Sequence, residues 1–125
     1  MPRHRRGWAM GGGPNCEGRH SPLSIYMLEP ALLILLKAQP RHGYTLLSDL
    51  ISLGMRTLHP SVVYRTLREM EGLEWIQSDW ETDQTQGPPR RTYRLTVLGE
   101  EALLSWQHEL KKTQKLISDL LGRIE

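Results

Sequence analysis

A chain of 125 residues, 38% hydrophobic and 24% charged, is expected to form one small globular domain with its own core. Its single cysteine excludes an intrachain disulfide and points to a reducing cytoplasm. The net charge of +2 is too small to declare a nucleic-acid partner alone.

Met1 to Pro22 is rich in Gly, Arg, His and Pro and reads as a flexible basic arm, in which Arg3, Arg5, Arg6 and Arg19 face only Glu17. No apolar run follows Arg6, so no signal peptide is expected. Cys16 and His20 stand in a C-x3-H spacing, with His4 upstream. One Cys-His pair falls short of the four ligands of a structural zinc site, although two pairs could combine in a dimer. The expectation is no cofactor, with a metal at Cys16 and His20 as the alternative.

The spacing predicts a first helix over Leu28 to Ala38, with Pro30 in its first turn and Gln39-Pro40 ending it. Its run Ala31 to Leu36 is the longest apolar stretch and far too short to span a bilayer, so no membrane is expected. A second helix is predicted over His42 to Ser52, with Tyr44, Leu47, Leu50 and Ile51 at helical spacing and Gly54 closing it. A third runs from Pro60 to Glu71, stopped by Gly72 at its C′ position. Val63, Leu67 and Met70 form its apolar stripe. Ser61, Tyr64, Arg65 and Arg68 share the opposite face, which suits either a DNA groove or plain solvent.

Two alternating strands follow, Trp75 to Glu81 and Arg91 to Leu95, around a polar loop from Thr82 to Arg90. Arg90, Arg91 and Arg94 cluster at the second strand. Thr96 is a good N-cap for a last helix running almost to the end. There Leu103, Trp106, Leu110, Thr113, Ile117, Leu120 and Ile124 step by three and four, a seam that needs a partner surface. The fold class is therefore mainly α with a small β-hairpin: a winged helix-turn-helix followed by a C-terminal dimerisation helix. The domains are residues 1–22 as arm, 23–96 as winged helix and 97–125 as dimerisation helix. Catalysis finds no support, since no nucleophile has a base at a defined spacing and no Gly-rich phosphate loop follows a strand.

The stretches LLILLKAQPRHGYTLLSDL, HPSVVYRTLREMEGLEWI and GPPRRTYRLTVLGEEAL resemble the PadR-like transcriptional regulators, in that order and spacing. The resemblance covers roughly Glu29 to Leu104 and is closest to the short subfamily with a single C-terminal helix. It implies a homodimer on a palindromic operator in double-stranded DNA, usually a repressor. By position, Ser61, Tyr64, Arg65 and Arg68 are its groove and phosphate candidates, and Arg90 and Arg91 its wing candidates. His42, Gly43 and Tyr44 match the start of the bracing helix, where side chains and backbone N–H groups could meet phosphate. Tyr64 suits phosphate contact and packing on the bracing helix equally well.

The resemblance also puts Leu103, Trp106, Leu110, Ile117, Leu120 and Ile124 in the dimer interface. One branch of the family binds flat aromatic drugs between paired tryptophans, but that position is Leu110 here, so the drug site does not carry over. A small-molecule effector in the seam stays open. His59 stands where a serine-type cap is common, and Val62 where a threonine is, which would offer a methyl contact instead of a hydroxyl. Two readings compete with the DNA reader: a metal- or ligand-responsive sensor using Cys16 and His20, and a winged helix serving only protein–protein contact.

Overall fold

The computed structural model describes residues 22–55, 59–81 and 90–125. In chain order these form α1 (Pro22–Ala38), β1 (Arg41–His42), α2 (Gly43–Ser52), α3 (Pro60–Gly72), β2 (Ile76–Glu81), β3 (Arg90–Leu95) and α4 (Val97–Ile124). Three helices pack around one cluster of apolar side chains. Leu28, Leu32, Leu33 and Leu36 come from α1, Leu46 and Leu50 from α2, and Val63, Leu67 and Met70 from α3. Ile76 and Tyr93 close the cluster from the sheet. Burial lifts the Tyr93 phenol above its ordinary 10.0, against the opposing hydrogen bond and charge of Arg91.

Helix α1 starts upstream of the expected Leu28, so Pro30 lies inside it and not in its first turn. A proline is a start signal only as far as local preference decides. Here packing carries the helix further back, because Tyr26 meets the Trp106 ring of α4 edge-on at 5.1 Å. On the outer side of α1, Ile34 is 48% exposed.

The expected hairpin is a three-stranded antiparallel sheet of order β1-β3-β2. Its extra strand pairs Arg41 with Tyr93 and His42 with Thr92. A strand of two residues has no period to read, so the sequence carried no sign of it. Arg41 fastens the segment: Nε donates to the Leu35 carbonyl at 2.9 Å and Nη1 to Asp49 Oδ2 at 2.7 Å. That joins the end of α1 to the middle of α2. In the wing, β2 and β3 pair from Ile76 with Leu95 out to Glu81 with Arg90.

Gly54 closes α2 as expected, at φ +99°. Gly54 N–H donates to the Ile51 carbonyl and Met55 N–H to Leu50, the two bonds of a Schellman end. The same end follows α3, but two residues later than Gly72. Gly72 is the last helical residue, and Glu74 takes the left-handed position at φ 66°. Glu74 N–H then donates to Glu71 and Trp75 N–H to Met70. The core decides this register, because Trp75 and Ile76 must reach it. A non-glycine residue in that conformation costs about 1 kcal/mol. Glu74→Gly is therefore expected to raise stability by about 1 kcal/mol in urea unfolding, and a loss of stability would contradict the assignment.

Thr96 caps α4 as expected, its Oγ1 accepting from Gly99 N–H at 3.0 Å. The first half of α4 packs Ala102, Leu103 and Trp106 on the core. The second half runs past it. Ile117, Leu120 and Ile124 are exposed, Ile124 by 79%, as are Leu116 and Leu121 beside them. Between α1 and α4 lies a groove of about 790 Å³ lined by Met27, Ile34, Leu103, Leu104, Leu110 and Ile117. No helix of the described residues is long and apolar enough to cross a membrane.

Candidate nucleic-acid interface

Helix α3 presents a polar face because its apolar residues recur every three or four positions and turn inward together. Val63, Leu67 and Met70 are fully buried, while Ser61, Arg65 and Arg68 are exposed. Pro60 occupies the first turn, and His59 stands before it in extended conformation with no side-chain capping bond to the helix. Val62 is half-buried and packs on the core, so its methyl groups have a structural task already.

Tyr64 is likewise half-buried. A methyl group built at Gly43 would stand 2.9 Å from Tyr64 Cε1 and 3.3 Å from its hydroxyl. The absence of a side chain at Gly43 thus lets the start of α2 close on α3, and the Tyr64 ring fills that contact.

The start of α2 and the wing meet on the other side. His42 and Tyr44 stack with ring centres 5.4 Å apart and planes 7° from parallel. Arg90 reaches across from β3: Nη1 donates to Tyr44 Oη at 2.9 Å, and its Cζ lies 5.2 Å from the ring centre. Arg91 turns the opposite way, as neighbours on a strand must. Its Cζ lies 4.7 Å from the ring centre of Trp80, its cross-strand partner. Each wing arginine is therefore seated on an aromatic face, where cation and ring quadrupole attract. Arg94, grouped with them by sequence, pairs instead with Asp79 at 3.4 Å.

The structure brings His42, Tyr44 and Arg90 together and sets Ser61, Arg65 and Arg68 on one exposed helix face. Sequence reasoning missed Trp80 as the seat of Arg91. The signal was present as an aromatic residue in the first strand, but the pairing register that places it opposite Arg91 depends on the loop between the strands. Cys16 and His20 lie outside the described residues. Among the described residues no group of three or more His, Cys, Asp or Glu could hold a metal.

A helix braced by a second helix, with an exposed cationic face and a strand pair beside it, defines the winged helix-turn-helix class. Residues 32–105 match the model of the transcriptional regulator PadR-like family. The chain belongs to that family. Among solved structures it is similar to a PadR-like transcriptional regulator from Bacillus cereus, with TM-score 0.71 and 23% identity over 81% of this chain and 97% of that one. A PadR family transcriptional regulator from Eggerthella lenta gives 0.70 and 24% over 79% and 85%. These two likenesses speak to the fold alone. A conserved protein described as a potential transcriptional factor is similar at 29% identity, with TM-score 0.69 over 87% of this chain and 95% of that one. No curated protein matches.

Proposed function

We propose that this chain is a sequence-specific DNA-binding repressor that acts in the cytoplasm as a homodimer on a palindromic operator. The observation that carries the reading is the exposed face of Ser61, Arg65 and Arg68 on α3, flanked by a wing whose two arginines are held in place. In this reading α3 enters the major groove, where arginine can fork to guanine or to phosphate. Arg90 and Arg91 meet the backbone or minor groove. His42 and Tyr44 at the start of α2, with Tyr64 of α3 packed beside them, complete the phosphate-facing surface.

The dimer follows from the apolar residues that α4 leaves uncovered. Ile117, Leu120 and Ile124 continue the line of Leu103, Trp106 and Leu110 beyond the protomer's own core. A second copy offers a matching stripe along that line. Trp106 already has an intrachain neighbour in Tyr26, so it serves as packing and not as one jaw of a drug site.

The test is a mobility-shift titration with a duplex from the protein's own promoter region. Four arginines per protomer, each meeting one phosphate, make about eight contacts in a dimer, so affinity is expected to fall about 10⁴-fold between about 50 and 200 mM salt. A winged helix used only for protein contact gives no salt-dependent shift at all, and that result sinks the reading.

A further inference from the structure

The wing and the helix-turn-helix are joined by few strand contacts. Pairing between β1 and β3 stops at His42 with Thr92, because the chain turns there into α2. Arg90 and Arg91 lie beyond that last pair and are held in the sheet only by β2. At this point a side chain takes over from the backbone. Tyr44 stands in the first turn of α2 and reaches Arg90, 46 positions away, by the 2.9 Å hydrogen bond and by ring contact. The Tyr44 ring is itself stacked on His42, the last residue of β1. His42, Thr92 and Arg90 share one face of the sheet by register.

We propose that Tyr44 is a positioning residue for Arg90: it latches the wing to the start of α2 and so sets where the wing arginine stands relative to α3. The inference rests on the DNA-binding reading and refines it, since Tyr44 then acts through Arg90 and not by its own phosphate contact. The chemistry suits the task. A guanidinium has five N–H donors, and Tyr44 engages one, leaving others for a phosphate. A planar cation held against a ring also loses less freedom on binding than a loose side chain does.

The test is a double-mutant cycle with Tyr44→Phe, Arg90→Ala and the double variant, using the promoter-region duplex. Tyr44→Phe keeps the ring and removes the hydroxyl. It is expected to weaken binding about fivefold while leaving the salt slope unchanged. Arg90→Ala is expected to weaken binding about tenfold and to flatten the salt slope by about two per dimer. In the Arg90→Ala background Tyr44→Phe should add nothing. Amide hydrogen exchange of the free protein supplies a readout that needs no DNA. Exchange over Arg90 to Thr92 should speed up in Tyr44→Phe, while that of buried α3 stays as it was. Additive losses in the cycle, or unchanged exchange over Arg90 to Thr92, overturn the proposal. If the duplex is not bound by any variant, the DNA-binding reading falls, and the exchange measurement still decides the latch.

Discussion

Replacing Gly99 by alanine is expected to lower stability by about 3 kcal/mol, the upper range for forcing volume into a packed site. A methyl group built there would stand 2.1 Å from the Trp75 carbonyl oxygen and 2.6 Å from Leu95 Cδ1. Leu95 could turn aside, but the carbonyl cannot. It accepts from Thr96 N–H at 3.0 Å, and the Thr96 hydroxyl, shared between the Glu74 carbonyl at 2.6 Å and that of Trp75 at 2.9 Å, also caps Gly99. The first turn of α4 must therefore lift off the sheet, and the cap is lost with it. Since α4 carries the seam of the proposed dimer, dimerisation should weaken as well. Gly122→Ala is the control: the same helix, nothing within 4 Å, and an expected gain of about 0.5–1 kcal/mol from helix propensity. Equal stability of the two variants in urea unfolding would show that the corner is not tight.

Arg68→Ala should act on the other property and leave stability alone. Arg68 is exposed in the middle of α3 and buries nothing that the core needs. Loss of a base or phosphate contact is expected to weaken promoter binding by about 1–3 kcal/mol, or roughly tenfold to hundredfold. The dimer, measured by sedimentation, should be intact. The sequence preference separates two roles: a phosphate contact lowers affinity for all duplexes alike, whereas a guanine contact relaxes the preference at one base pair. Arg65, one turn away on the same exposed face, provides the comparison. Affinity unchanged in Arg68→Ala would strike that residue from the interface.

The two variants probe features of different legibility. The exposure of Arg65 and Arg68 follows from a period of 3.6 against Val63, Leu67 and Met70, and could be read along the chain. So could the Schellman end at Gly54 and the cap at Thr96, because each joins residues within one or two turns. The tightness at Gly99 could not, because the atoms it meets belong to Trp75 and Leu95.

Sequence by itself determined the helices, the wing strands, the polar face of α3 and the family. Those are encoded in local preference and periodicity, which need no knowledge of distant neighbours. Tertiary structure alone decided that α1 begins at Pro22, that Glu74 and not Gly72 adopts the left-handed turn, and that β1 exists. It also decided that Arg90 turns to Tyr44 and Arg91 to Trp80. In each case a contact between segments far apart in the chain outweighed a local preference of about a kilocalorie, or acted where there was no local preference to read.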